Sequence, residues 1–241
     1  MKRLLSIVLA VIVLAVICLA GNASAADELA SGTSSDGTSV PYVLTTDEGG
    51  RPAYAVVLMP GGAGIMSPRL NSNGRVTFGM GGNFLIRSRA RFASGPFVAA
   101  STDATSTPDR ILAIAADLQR RYGPLQVYVL GTSRSTEATM ALAEPLDGKV
   151  AGFVHSSPMN AIARFDPRRF KSRHLIVLHR MDACRVTRPS NGEASHRSYG
   201  TELIVMEGGK STGEDCEAMA YHGYNGIEAE TVDRIKAWIA R

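Results

Sequence analysis

The hydrophobic residues of the chain occur in short continuous runs that alternate with longer stretches of helical spacing. Most of the short runs are apolar at successive positions and end at Gly, Pro or polar residues, which is typical of strands covered on both faces of a sheet. The pattern therefore predicts an α/β protein, a three-layer α/β/α sandwich around a mostly parallel central sheet. The predicted strands are residues 40–44, 53–59, 97–100, 125–130, 150–154, 174–178 and 203–206.

Between several of these strands, the apolar residues recur at the spacing of a helix. Residues 108–122 begin with a proline, repeat apolar side chains every three or four positions and end at Gly123, so they predict an amphipathic helix. Residues 227–239 have the same spacing, with charged residues between the apolar ones. Residues 135–142 continue directly from a predicted strand and also predict a helix.

The chain is predicted to contain one domain over residues 40–241, because no repeat or internal linker interrupts the alternation of strands and helices. Only about 17 residues, 157–173, separate two late strands, which leaves little or no room for a lid. The preceding residues, 26–39, are mostly small and polar and have no apolar period. We therefore expect a flexible N-terminal segment there.

Residues 1–25 have the pattern of a secretory signal peptide. A short basic start precedes an apolar run over residues 4–20, and small residues at positions 23 and 25 match a signal-peptidase site. We expect cleavage after Ala25, no stable membrane anchor afterwards, and a periplasmic or secreted protein. Two alternatives are an uncleaved anchor, since about 17 apolar residues are near the minimum for a span, and a lipoprotein at Cys18, which the bulky residue before it disfavours.

Composition and charge exclude several classes of protein. Of the 241 residues, 45% are hydrophobic and 20% charged, which is typical of a globular domain and not of a disordered or fibrous chain. The net charge falls from +4 to +2 without the leader, because Lys2 and Arg3 are its only charged residues. That charge is too small for nucleic-acid binding. The scattered basic residues at 87–91 and 164–173 are expected to be solvated surface.

The strongest candidate for chemistry is a serine at a predicted strand-to-helix junction. A buried strand leads through Gly131 to Ser133, and a helix begins at residue 135. In this context the pattern Gly-x-Ser-x-Gly forms a sharp turn that exposes a nucleophilic hydroxyl. Ser135 stands where that pattern has its second glycine, but it is small enough for the turn. Ser133 is therefore the predicted nucleophile.

A glycine-rich turn directly after residues 53–59 indicates an oxyanion site. Attack by a serine on a carbonyl carbon creates a negatively charged oxygen that needs two N–H donors. We expect one donor from the backbone of Arg134 and the other from Gly62 or Ala63. Phosphate binding is the alternative for such a turn, but neither of the glycine-rich phosphate motifs is present.

Candidates for the acid and the base lie in the loops after later strands. In proteins with this serine turn, the order along the chain is Ser, then acid, then His. Asp182 follows one predicted strand and His222 the next, so Ser133, Asp182 and His222 form the predicted triad, with Asp103 as the alternative acid. No ligand spacing predicts a metal site. The other histidines are expected to be structural or solvated: His155, His174, His179 and His196.

Two cysteines, Cys184 and Cys216, remain after removal of the leader, so a single disulfide is possible. Export to an oxidising compartment makes this bond expected. Cys184 lies two residues after Asp182, and Cys216 lies six residues before His222. The disulfide would therefore join the acid loop to the base loop and keep the two in register.

These motifs resemble those of the α/β-hydrolase superfamily over nearly all of the chain after the leader. The resemblance rests on the glycine turn at 61–64, the serine turn at 131–135, and the acid and histidine loops. It implies the α/β-hydrolase fold and a hydrolytic reaction that needs no cofactor, but it says little about the substrate. Residues 82–89, 179–187 and 222–228 resemble a poorly characterised group of secreted bacterial α/β-hydrolases with a cysteine in both the acid and histidine loops.

The sequence therefore predicts an exported serine hydrolase that cleaves an ester or related acyl bond of a small molecule through an acyl-enzyme on Ser133. Arg134, Arg180 and Arg185 near the expected mouth would favour an anionic substrate, although exposed loop arginines commonly have no specific role. Two other functions stay open. One is a serine peptidase or amidase with the same triad, and the other is a non-catalytic exported binding protein on the same scaffold.

Overall fold

The computed structural model of the protein describes residues 25–47 and 50–241. The predicted signal peptide, apart from Ala25, lies outside the described residues, so its cleavage stays a prediction. None of the described helices is both long enough and apolar enough to cross a membrane.

A mostly parallel sheet forms the centre of the fold. The described strands are β1 (Ala26–Thr33), β2 (Ser39–Thr46), β3 (Tyr54–Met59), β4 (Arg69–Leu70), β5 (Val76–Thr77), β6 (Phe97–Ser101), β7 (Gln126–Thr132), β8 (Gly152–Ser156), β9 (Arg173–His179) and β10 (Glu202–Met206). Eight of them form one sheet in the order β1-β2-β6-β3-β7-β8-β9-β10. β2 pairs antiparallel with β1 and β6, and the other neighbours are parallel. Each strand predicted from the sequence is present.

Helices cover both faces of this sheet. The described helices are α1 (Phe84–Arg87), α2 (Arg89–Phe92), α3 (Pro108–Tyr122), α4 (Ser135–Leu142), α5 (Pro189–Tyr199) and α6 (Glu228–Ile239). Side chains of α3 and α4 pack on one face of the sheet, and those of α1, α2 and α6 pack on the opposite face. Along a central strand, alternate residues therefore belong to the two different cores. Successive residues of the central strands therefore alternate between two covered faces, which explains the continuous apolar runs. The predicted α/β/α sandwich is confirmed.

The N-terminal segment differs from the prediction. The sequence predicts flexibility over residues 26–39, but residues 26–33 form β1, which pairs with β2 along its whole length. The prediction is wrong because backbone hydrogen bonds between strands do not require apolar side chains. At this edge of the sheet only Ala30 and Gly32 of β1 are buried. The domain therefore begins by residue 26 and not at residue 40.

Two further elements have no counterpart in the sequence prediction. α5 is mostly polar, and the separate β4–β5 hairpin has strands of only two residues, so neither has a recognisable apolar period. The connection from β8 to β9 contains two short 3-10 helices, Asn160–Arg164 and Pro167–Arg169. This agrees with the predicted scarcity of lid residues.

Some of the basic residues expected to be solvated are partly buried. Arg87 pairs with Glu228 and Arg89 with Asp27, and all four side chains are 17–24% exposed. Arg173 lies with its guanidinium carbon 4.1 Å from the centre of a tryptophan ring. The prediction that these arginines are solvated surface is wrong, because the spacing of hydrophobic residues does not reveal which distant residues they pair with.

A pair of histidines is buried on the face of the sheet that α4 covers. His155 on β8 and His174 on β9 lie with nearly parallel ring planes, and His155 Nε2 lies 3.2 Å from His174 Nδ1. The Thr139 hydroxyl donates to the backbone carbonyl of Thr136 and lies 2.8 Å from His155 Nδ1. His155 Nδ1–H therefore donates to Thr139, and His155 Nε2 accepts from His174 Nδ1–H. The remaining His174 Nε2, which has no partner among the described residues, is then an acceptor.

Burial keeps both imidazoles neutral. It lowers the pKa of His155 well below its ordinary value, and the neighbouring His174 lowers that pKa further. It lowers the pKa of His174 to about 4, against a small opposing effect of Asp147. The unfolded chain binds protons at these histidines near pH 6.5, whereas the folded protein resists protonation until the pH approaches 4.

We expect the free energy of unfolding to decrease as the pH falls from about 6.5 towards 4, by about 1.4 kcal/mol per pH unit for each histidine that stays neutral in the fold. The variant His174→Asn retains a donor at the Nδ1 position and should have a shallower pH dependence. Urea unfolding at several pH values measures the slope. His196→Asn, at an exposed position, is the control, and an unchanged slope in His174→Asn would contradict the prediction.

Candidate active site

Ser133 occupies a sharp turn between β7 and α4. Its φ is +53°, in the left-handed region that residues other than glycine rarely adopt. Gly131 makes the turn possible, because a Cβ there would lie 2.7 Å from the carbonyl oxygen of Ser135. Gly61 is equally restricted, since its Cβ would lie 2.9 Å from that of Ser133. The strand-to-helix turn predicted from the sequence is therefore present.

Ser135 has a defined role at the position where the motif usually has glycine. Its side chain is buried, and its Oγ accepts the N–H of Thr132 at 2.8 Å. The same Oγ lies 2.8 Å from the carbonyl oxygen of Met59, to which it can donate. The hydroxyl therefore connects the serine turn to the end of β3, where the glycine-rich turn begins.

His222 and Asp182 come together from two different loops. His222 Nδ1 lies 2.9 Å from Asp182 Oδ2, and both side chains are at least 93% buried. Asp182 Oδ1 accepts the backbone N–H of Cys184 at 2.9 Å. The carboxylate therefore favours the tautomer of His222 with the proton on Nδ1 and leaves Nε2 free to accept a proton.

Thr187 is a third member of this cluster that the sequence reasoning missed. Its hydroxyl lies 3.1 Å from Asp182 Oδ2 and 3.1 Å from His222 Nδ1, and its side chain is buried. Because His222 Nδ1–H donates to the carboxylate, the Thr187 hydroxyl is a second donor to the same oxygen. Its place in the predicted acid-loop segment, residues 179–187, was the only signal in the sequence.

Ser133 and His222 line the same cavity of about 610 Å³, together with Gly62 and Arg134. Asp182 lies behind the histidine and does not line the cavity. Ala63 lines only a neighbouring cavity of about 640 Å³. No hydrogen bond between Ser133 Oγ and His222 is present in the described part of the chain, although both side chains line this cavity.

Three backbone N–H groups of the serine turn and the glycine-rich turn have no acceptor among the described residues. They belong to Gly62, Ala63 and Arg134, the residues that the sequence singled out as oxyanion donors. The Asp103 carboxylate supports the glycine-rich turn from behind, because its Oδ1 accepts the N–H groups of Met66 and Ser67. That contact occupies Asp103 in the turn and leaves Asp182 as the carboxylate bonded to His222.

The other histidines are held by contacts away from this cavity. His179 Nε2 donates to the carbonyl of Gly208, and its Nδ1 accepts the N–H of Met181. The ring of His196 lies 2.7 Å from a backbone carbonyl oxygen on its own side of the sheet. None of His155, His174, His179 and His196 lines the cavity with Ser133.

The cavity wall is mixed in character. Met80, Met159 and Val186 provide apolar surface. Arg134 is accompanied by Glu137 and Glu217, so the charged side chains are not predominantly basic. Neither Arg180, which pairs with Glu207 at 2.6 Å, nor Arg185 lines the cavity. The arrangement therefore does not support the expected attraction of an anionic substrate by three arginines.

A disulfide joins Cys184 to Cys216 in the structure. It links the acid loop to the irregular segment before His222, as the sequence predicts. Cys184 is buried, whereas Cys216 is exposed and lines the cavity. One ligand atom each of Asp182, Cys184 and His222 lies within 4.8 Å of the others, but the sulfur of Cys184 is already bonded to Cys216.

Comparison with known proteins shows the fold. No protein-family model matches the sequence, and no curated protein matches it. Among solved structures, a lidless α/β serine hydrolase of Xanthomonas campestris matches with a TM-score of 0.55 and 12% identity, over 87% of this chain and 94% of the other. The protein therefore has the α/β-hydrolase fold.

Two esterases are also similar in structure. The esterase domain of a Rhodothermus marinus protein matches with a TM-score of 0.59 and 12% identity, over 88% of this chain and 97% of the other. A cold-adapted esterase from an Arctic intertidal metagenomic library matches with a TM-score of 0.59 and 14% identity, over 89% and 94%. At these identities the likeness extends to the fold and not to a particular reaction.

We expect the disulfide to contribute about 3.7 kcal/mol to the free energy of unfolding, because it closes a loop across 32 residues of sequence separation. The variant Cys184→Ala/Cys216→Ala should lose this amount in denaturant unfolding. A thiol reductant should destabilise the unaltered protein and leave the double variant unchanged. Equal unfolding midpoints for the oxidised protein and the variant would contradict the prediction.

Proposed function

We propose that the protein is an exported serine hydrolase that cleaves an ester or related acyl bond of a small molecule. The observation that carries this proposal is the Asp182–His222 hydrogen bond of 2.9 Å beside a cavity that also contains Ser133 on a strained turn. Strain at a single residue is characteristic of functional positions. A carboxylate-oriented imidazole beside such a serine is the arrangement that activates a hydroxyl nucleophile.

The proposed reaction starts when Ser133 Oγ attacks the carbonyl carbon of the substrate. The hydroxyl proton passes to His222 Nε2 as the new C–O bond forms, and Asp182 stabilises the resulting imidazolium. His222 then gives this proton to the departing alcohol oxygen, which leaves an acyl group on Ser133. Water repeats the sequence, donating its proton to His222 as it attacks, and releases the acid with the Ser133 hydroxyl restored.

The negative charge on the carbonyl oxygen requires two donors, and the free N–H groups of Gly62 and Arg134 support this role. Both residues line the cavity that contains Ser133. Between the two glycine-turn candidates, we favour Gly62 over Ala63, because Ala63 lines only the neighbouring cavity. Backbone donors fixed before the reaction need no reorganisation as the charge develops.

The cavity supports a small acyl substrate. Its volume of about 610 Å³ is in the range of sites for small molecules, and Met80, Met159 and Val186 offer contact to a short apolar group. Export is supported by the disulfide, which is stable in an oxidising compartment, and by the leader pattern of residues 1–25. No cofactor takes part in the proposed reaction.

A fluorophosphonate should react with Ser133 of the folded, oxidised protein, and peptide mass mapping should find the adduct there. Ser133→Ala should remove it, and heat-unfolded protein should not react, because the reaction needs the folded arrangement. Absence of an adduct on folded protein would contradict the proposal and favour a non-catalytic binding protein. Hydrolysis of matched short-chain nitrophenyl esters and nitroanilides distinguishes an esterase from an amidase or peptidase.

The Thr187 hydroxyl should contribute to turnover, because it donates to the buried carboxylate that orients His222. Loss of a hydrogen bond to a charged group corresponds to about 1.5 kcal/mol, so Thr187→Val should lower kcat about tenfold with little change in KM. Thr187→Ser, which keeps the hydroxyl, should retain most of the kcat of the unaltered protein. Thr201→Val, at a buried threonine that bonds to Ser195, is the control, and equal effects at positions 187 and 201 would refute this role.

A further inference from the structure

Arg87 on α1 connects three separate segments around the candidate active site. Its Nη1 donates to the carbonyl oxygen of Gly82 at 2.7 Å, and its Nη2 donates to that of Gly223 at 2.5 Å. Nη2 and Nε also donate to Glu228 Oε1, at 2.9 and 3.1 Å. One guanidinium therefore holds the segment before α1, the histidine loop and the start of α6.

The two carbonyl groups that Arg87 holds belong to the walls of the cavity. Gly82 and Gly223 both line the cavity with Ser133, whereas Arg87 does not. Gly223 directly follows His222, so the contact fixes the backbone next to the imidazole. Phe84 of α1 supports the same loop, since its ring centre lies 4.6 Å from that of Tyr224.

The histidine loop needs such support because it has little regular structure. The connection between β10 and α6, all of whose residues are described, contains one short 3-10 helix, Tyr221–Gly223, and its residues 207–217 are exposed. The disulfide anchors this loop six residues before His222. Ser157 Oγ donates to the carbonyl of His222 itself at 2.7 Å. Arg87 anchors the residue that follows.

The Arg87–Glu228 pair is suited to this task. Burial raises the pKa of Glu228, but hydrogen bonds from its own backbone N–H and from Arg87 outweigh that effect, so the pKa is lowered. Glu228 Oε2 also accepts the N–H of Gly226 at 2.9 Å. The carboxylate therefore holds the end of the histidine loop on one side and orients the guanidinium on the other.

We propose that Arg87, oriented by Glu228, is a positioning residue that fixes His222 against Ser133. The inference rests on the proposed function for its effect on turnover. A planar guanidinium can donate from three nitrogens to three segments at once, whereas the single ammonium of a lysine cannot reproduce that geometry.

Arg89 provides a matched control on the neighbouring helix. Arg89 Nη2 pairs with Asp27 at 2.5 Å, and its exposure, 23%, is close to the 17% of Arg87. Asp27 lies on β1, at the far edge of the sheet from β9 and β10. Removing either ion pair should cost a similar amount of stability, but only the Arg87 pair holds the histidine loop.

The kinetic test compares Arg87→Met, Arg87→Lys and Arg89→Met on a short-chain nitrophenyl ester. We expect Arg87→Met to lower kcat by about 10- to 100-fold with KM within about twofold, because misplacement of a catalytic group affects the reaction more than binding. Arg87→Lys should recover part of the loss, and Arg89→Met should stay within about twofold of the unaltered protein. Thermal unfolding of each variant verifies that it is folded at the assay temperature.

A second measurement is independent of turnover. In protein labelled with ¹⁵N-histidine, His222 should give one set of imidazole signals with the proton on Nδ1, both in the unaltered protein and in Arg89→Met. Arg87→Met should broaden or split this set. His222→Gln identifies the signals by their loss.

The outcomes separate the two proposals. Failure of the unaltered protein to hydrolyse any ester or to react with a fluorophosphonate would refute the proposed function, while the NMR comparison would still decide whether Arg87 positions His222. Equal kinetic losses in Arg87→Met and Arg89→Met, or unchanged His222 signals in Arg87→Met, would overturn the positioning role.

Discussion

The crowding around the backbone of Ser133 is the constraint on which the rest of the site depends. Ser133 adopts a left-handed conformation just after β7, and the neighbouring segments approach this turn so closely that there is no room for a Cβ at Gly61 or Gly131. Ser135 adds a hydroxyl that bonds to both sides of this contact. The serine turn and the glycine-rich turn are thus one packed unit, and Gly62 and Arg134 of these turns line the same cavity as Ser133.

His222 has a different kind of support, because it lies on a long irregular loop. Asp182, to which Thr187 also donates, holds its ring, Ser157 holds its carbonyl, and Arg87 holds the next residue. These partners come from separate parts of the chain, and the disulfide joins two of those parts covalently. Many weak contacts from different segments fix a loop better than its own conformational preferences do, since each contact removes part of its freedom to move.

The likeness to solved hydrolases extends over most of the chain at 12–14% identity. A three-layer fold can be kept at such low identity because it needs only apolar residues on both faces of a parallel sheet. The details of this chain's candidate site lie in its loops: a serine at the position of the second glycine of the turn, a disulfide between the loops of Asp182 and His222, and an arginine that bonds to two residues of the cavity wall. These are the places where substrate choice and regulation differ among proteins of one fold.

The sequence by itself determined the parallel sheet, the principal helices and the order Ser133, Asp182, His222, because continuous apolar runs, proline and glycine positions and chain order are local properties. Only the tertiary structure decided that polar residues 26–33 form an edge strand, that Thr187 lies against both Asp182 and His222, and that Arg87 is largely buried. Each of these depends on a partner distant in sequence: β1 on β2, Thr187 on His222, and Arg87 on Gly223 and Glu228. Hydrogen bonds between distant segments leave no periodic pattern in either segment, so they become visible only when the chain has folded.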